Sequence, residues 1–162
     1  MDSTPSTTAE AMEAHALNRA VDAEGRDTAP PVPAPSKRPV SPAEWACKRL
    51  VLYIKAFEER LDAEHEAAMG FAGGPGGAQG LLRIEGVGFS APDLVTFSGR
   101  DGTGVPSTLV QHVSQLNVVM RAVPRPPENS EARRIGFRLA RALEAEEVAE
   151  EEAVGDRDAE SA

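Results

Sequence analysis

His112 and Ser114, two positions apart, are the side chains best placed in this sequence for nucleophilic chemistry. A serine hydroxyl becomes a nucleophile when an imidazole takes its proton and a carboxylate holds the imidazole. Asp93 or Asp101 supplies that third group, and Gln111 completes the candidate site. The G-x-S-x-G elbow is absent around Ser114. Ser114 also suits a plainer role, as the N-cap of a following helix, with His112 a hydrogen-bonding residue at the strand-to-helix junction.

Other chemistry-bearing patterns fall short. The glycine-rich loop at residues 73–80 has no lysine after it, so it is not a Walker loop, and Gln79 breaks G-x-G-x-x-G. Residues 99–104 lack the repeated oxygens and closing glutamate of a calcium loop. His15 lies near the N-terminus, and Glu64-His65-Glu66 lacks a second histidine at i+4. No metal or cofactor is expected. Arg134, Arg138 and Arg141, with Arg133 beside them, form a basic stripe. No aromatic residue interleaves with it and acidic residues follow, so it reads as a solvated face or a contact for an acidic patch on a protein partner.

The charge is uneven. The chain holds 17 basic and 26 acidic residues, but residues 41–144 hold 12 of each and residues 145–162 hold one basic and eight acidic. This acidity argues against a nucleic-acid partner. No apolar run approaches the ~20 residues of a membrane span. One cysteine, Cys47, rules out a disulfide framework. With no signal-like N-terminus, the expected location is cytoplasmic.

The elements that must position these residues follow from periodicity. Residues 1–40 read as a disordered Pro/Ala-rich segment, in which A-P-P-V-P-A-P at 29–35 favours a polyproline II spacer containing one P-x-x-P. Ser41-Pro42-Ala43-Glu44 is a helix start. Ala46, Leu50, Tyr53, Ile54, Phe57 and Leu61 then share one face, which predicts a helix over 42–63 with Cys47 packed beside it. Alternation follows over 67–72, 81–89, 94–98 and 106–113, and the short glycine-rich links favour an antiparallel meander. Leu116, Val119, Met120 and Val123 predict a helix after Ser114, and a last helix begins near Ser130 and fades over 144–152. The expected fold is α+β: one N-terminal helix, a four-stranded antiparallel meander and two C-terminal helices in a single domain at 41–144, followed by a disordered acidic tail at 145–162.

Strand parity puts Met69, Phe71, Leu82, Ile84, Val95 and Phe97 on a core face. The opposite parity holds Leu81, Val87, Phe89, Leu94 and Val110, an apolar set that marks an interface if helices cover only one face. A one-residue bulge reverses that parity.

Five stretches carry a family likeness: P-A-E-W-A-C-K-R-L-V-L-Y-I-K-A-F-E (42–58), M-G-F-A-G-G (69–74), L-R-I-E-G-V-G-F (82–89), P-D-L-V-T-F-S-G (92–99) and L-V-Q-H-V-S-Q-L-N-V (109–118). Together they resemble a small bacterial family of unknown function over residues 42 to about 143. Q-H-V-S-Q-L-N is the most distinctive piece, and the glycine-rich loop is longer than the family pattern. The resemblance brings no activity and no site residues. The sequence points to a non-enzymatic interaction or assembly module with a protein partner or a second copy. The alternative is a small enzyme or ligand-binding domain around Gln111, His112 and Ser114.

Overall fold

The computed structural model describes residues 19–33, 38–71 and 80–160. The expectations for His15, for most of the N-terminal segment and for the glycine-rich loop at 73–79 lie outside the described residues. The chain is α+β: α1 (Pro42–Glu58), β1 (His65–Phe71), β2 (Leu81–Ser90), β3 (Leu94–Arg100), β4 (Pro106–His112), a 3-10 turn (Val113–Gln115), β5 (Val118–Pro124) and α2 (Gly136–Glu160). The strands form one antiparallel sheet in the order β4-β3-β2-β1-β5.

Two expectations about element type are corrected here. The segment after Ser114 is a fifth strand, which leaves one C-terminal helix in place of the expected two. Leu116 and Met120 do pack on the core, yet so does Val118. Over so short an apolar run the two periods cannot be told apart, and the free edge of β1 decides: all seven residues of β5 pair with it, from Phe71↔Val118 to His65↔Pro124. The last helix starts at Gly136, not near Ser130. It then continues through Glu160, where the sequence pattern suggests a tail, because its alanines and glutamates are strong helix formers.

The sheet is not flat. In a flat sheet β4 and β5 would lie four strand spacings apart, ~19 Å, and β5 would start at the end opposite to where β4 finishes. The five-residue link from 113 to 117 spans only ~21 Å, less than the diagonal. The strip must roll, and β2 is where it bends. Its register shifts between Ile84 and Gly86. Ahead of the shift β2 pairs with β1, and beyond it with β3 alone. Opposite the bulge, Gly99 has no room for a side chain, since a Cβ there would sit 2.0 Å from the Arg83 carbonyl oxygen.

The bulge also reverses parity. Val87 now pairs with Phe97 and Phe89 with Val95, so both join the core side and pack against the buried cluster. Their assignment to the opposite face is corrected accordingly. The core itself holds Ala43, Ile54, Met69, Leu82, Ile84, Val95, Phe97 and Ile135, with the Phe71 and Phe97 rings 5.0 Å apart.

α1 begins as its signature requires: the Ser41 side chain accepts from the Glu44 N–H at 3.2 Å, and Pro42 follows the cap. The helix stops at Glu58 rather than 63. Arg60 and Leu61 donate to Phe57 and Glu58 in tightening turns, and the Asp62 side chain then accepts the Glu64 N–H. Its buried positions are Ala43, Glu44, Cys47, Lys48, Val51, Ile54 and Glu58. That set is rotated from the predicted stripe because α1 packs on the sheet and on α2 at once. Tyr53 is exposed and Phe57 only half-buried.

Within the N-terminal segment, Val21 bridges Asp27 and the Asp22 side chain accepts the Glu24 and Arg26 N–H groups. Pro30 is buried, so the first proline of the P-x-x-P is not open to a partner. Among the described residues, no helix is long and apolar enough to cross a membrane.

Candidate functional site

His112, Ser114 and Asp93 do come together. His112 ends β4 opposite Leu94, and Asp93 sits in the β2–β3 turn just before it. The Asp93 carbonyl accepts the Val113 N–H at 2.8 Å, which fixes the two loops against each other. The His112 Nδ1 accepts the Ser114 N–H at 3.1 Å and lies 2.7 Å from the Ser114 Oγ. With its lone pair on Nδ1, the ring carries its proton on Nε2, 3.1 Å from Asp93 Oδ2. The Gln115 side chain accepts from the His112 N–H at 3.3 Å. His112 is thus the N-cap of the 3-10 turn in a reciprocal capping box. Ser114 is inside the turn and is not the cap of a helix, which corrects that expectation.

The order Asp93–His112–Ser114 is the order that draws a proton from a serine hydroxyl. Two features of the cluster also suit a structural role. The Nδ1 lone pair already serves the Ser114 amide, and the His112 and Asp93 side chains stand open to water, 45% and 43% exposed. A water-filled setting weakens any charge stabilisation of a developing oxyanion. The bonds close the link that lets β4 lead into β5 across the rolled sheet. Asp101 takes no part: its side chain accepts from Thr103 and Val105 in the β3–β4 hairpin. Gln111 points to the core side, opposite Val95, with a buried Oε1 to which no described group donates.

The remaining predicted positions scatter. Leu94 and Val110 share the outer face of β3 and β4, 37% and 56% exposed. Leu81 is half-buried beside Gly70. Arg134 is tied inward, its guanidinium donating to the His65 and Asp62 carbonyls at 2.7 Å each. Arg138 and Arg141 lie exposed on α2. The glutamates around His65 do not gather on it: Glu64 pairs with Arg125, while Glu66 is buried. His65 Nδ1 instead meets Asp62 Oδ1 at 2.6 Å. That bond, ahead of the Glu64 N–H, holds the Asp62 carboxyl below its ordinary value. Among the described residues, no group of three or more His, Cys, Asp or Glu could hold a metal ion.

The sequence reading passes over two sets of buried charges. Glu58 accepts the Ile135 and Gly136 N–H groups at 2.9 and 2.7 Å, and Glu66 accepts the Arg133 N–H at 2.8 Å and pairs with Arg83. The chain entering α2 is therefore capped by carboxylates 67 to 78 residues earlier. The second set lines a cleft formed by Arg38, Glu44, Lys48, Phe89, Leu143, Glu146 and Glu147. Lys48 pairs there with Glu147 and Glu44, and Arg38 with Glu44. The signals were present: Glu58 follows Ile54 by one turn on the buried face, and Lys48 follows Glu44 by four. Next to this cluster, burial first, then Glu146 and Glu44, pushes the Cys47 thiol up to about 11, so it stays protonated and unreactive.

No curated protein matches the chain, and no solved structure does. A family model covers residues 41–138, taking in α1, the whole sheet and the capped entry to α2 but not the acidic part of that helix. With most of its length so matched, the chain belongs to the family of unknown function DUF6173.

Proposed function

We propose that the chain is a non-enzymatic interaction module that docks a protein partner on the outer face of β3 and β4. The observation that supports this most directly is the pair Leu94 and Val110, diagonal neighbours on adjacent strands, left in solvent while the other face of the same strands is packed. Gly86, Gly88, Thr96, Ser98 and Thr108 lie beside them on this face, with Ser90 and His112 opposite Leu94 at one end and Arg100 and Pro106 at the other. Apolar side chains on such a face gain ~25 cal/mol per Å² when a partner covers them. One unpaired, buried thiol suits a cytoplasmic setting.

The test is the double variant Leu94→Glu/Val110→Glu. Exposed sites tolerate such changes within about 0.5 kcal/mol, so the variant should keep the wild-type circular dichroism. Proteins that co-purify with the wild type, and that bind it again once purified, should lose that binding. Unchanged binding by the variant would refute the docking face.

A second reading rests on the Asp93–His112–Ser114 chain: a small hydrolase with Ser114 as nucleophile. A fluorophosphonate probe tests it. No labelling of Ser114 is the result expected here; labelling that disappears in His112→Ala would replace the first reading with the second.

A further inference from the structure

We propose that α2 pairs antiparallel with α2 of a second copy of the chain, through an exposed stripe that flanks the one packed on α1. This is independent of the sheet-face reading. The inner side of α2 is settled. Gly136 lies against the Lys55 backbone, Leu139 packs on the core, Leu143 lines the cleft and Glu147 meets Lys48. The flanking stripe repeats at steps of four, three and four: Phe137, Arg141, Glu144 and Val148. All four are exposed, Phe137 by 55% and Val148 by 56%. Two large apolar side chains thus stand in solvent on one stripe, eleven positions apart.

Charge selects the occupant and its direction. Lys55 and Arg141 flank the Phe137 ring at 5.8 and 5.7 Å, so the start of the stripe is positive. Glu144 and Glu152 make its continuation negative. A second copy laid antiparallel, centred between Ala142 and Leu143, puts Phe137 against the second copy's Val148 and Arg141 against the second copy's Glu144. Twofold symmetry repeats each contact. A parallel copy in the same register would set Arg141 against Arg141, a repulsive arrangement. The stripe is complementary to itself in one orientation only.

Sedimentation equilibrium of the full chain over a range of concentrations tests this. The wild type should dimerise, more weakly as salt is raised. Phe137→Glu and Arg141→Glu should each weaken the dimer by about tenfold or more. The double variant Arg141→Glu/Glu144→Arg re-creates the opposed pair and should return to within about threefold of wild type, an outcome that misfolding could not produce. The Leu94→Glu/Val110→Glu variant should dimerise as the wild type does. A wild type that stays monomeric throughout would overturn the proposal. So would a charge swap no better than Arg141→Glu, or loss of the dimer in the sheet-face variant.

Discussion

Glu58 holds the start of α2 with both carboxylate oxygens, and each bond goes to a main-chain N–H that has no other acceptor in its own helix. Glu58→Gln keeps the shape but turns one acceptor into a donor facing one of those N–H groups. A loss of about 1–3 kcal/mol is expected in urea denaturation. The pH dependence has a definite sign. Burial raises the Glu58 pKa above 4.5, outweighing the Gly136 and Ile135 N–H groups that lower it. A raised value in the folded state means that folding favours the protonated acid. The contribution is complete below a pH of about 4.5 and is lost as pH rises through the raised value. The glutamine does not titrate, so the advantage of the wild type over Glu58→Gln should shrink as pH rises from about 4.5 through the raised value. Asp62 and Asp101, held low by His65 and Thr103, act in the opposite sense in both proteins, and the comparison cancels them. At the other polar cluster, Ser114→Ala removes one hydroxyl contact while the Ser114 N–H still reaches His112, at a cost below about 1 kcal/mol. His112→Ala removes the cap and the Asp93 link together and should cost more than the serine change. Equal losses would show that the hydroxyl, not the cap, closes the turn.

At the level of elements, α1 was legible because its cap, its proline and its 3.6-residue period agree, and the packed face of β3 was legible from alternation alone. β2 was not. Its alternation continues across residue 85 without any residue that announces a bulge, yet the bulge moves Val87 and Phe89 to the core side. Of the apolar set assigned to the opposite parity, Leu94 and Val110 are therefore exposed while Val87 and Phe89 pack on the core side. Phe89→Glu should now unfold the protein, whereas Val110→Glu should leave its circular dichroism and thermal midpoint near wild type. β5 escaped because a strand of seven residues that completes another strand's edge is specified by its partner more than by its own pattern. The entry to α2 escaped because its caps come from distant carboxylates rather than from a local Ser or Asp. The crossing of the two helices yields a test of its own. Alanine is a better helix former than glycine by about 1 kcal/mol, but a Cβ at position 136 would lie 2.6 Å from the Lys55 Cα. Gly136→Ala should therefore destabilise despite its propensity, by about 1–3 kcal/mol. A stabilised variant would mean that α2 does not sit this close to α1.

Across the whole molecule, the N-terminal arm, α1 and α2 are joined by alternating charges: Arg38, Glu44, Lys48 and Glu147. Lys48 and Glu44 are nearly buried, so neither can turn to water if its partner leaves. This decides where the folded unit can be cut. The inward-facing apolar residues of α2 end at Leu143, and a boundary at 144 keeps all of them. It also discards Glu147 and leaves Lys48 with Glu44 alone, at 3.8 Å. Breaking a buried pair costs about 3–5 kcal/mol, reduced here because the Glu147 side chain is about a third exposed. The span 38–149 should unfold in urea near the midpoint of the full chain, and the span 38–144 should be less stable by about 1–3 kcal/mol. Lys48→Met in the shorter span separates the charge from the lost length of helix. An apolar side chain of similar volume has no partner to lose, so it should recover most of the difference. If the two spans share one midpoint, the charge chain adds nothing to the fold and the boundary belongs at 144. If Lys48→Met recovers nothing, the loss comes from the missing turn of α2 rather than from the stranded ammonium.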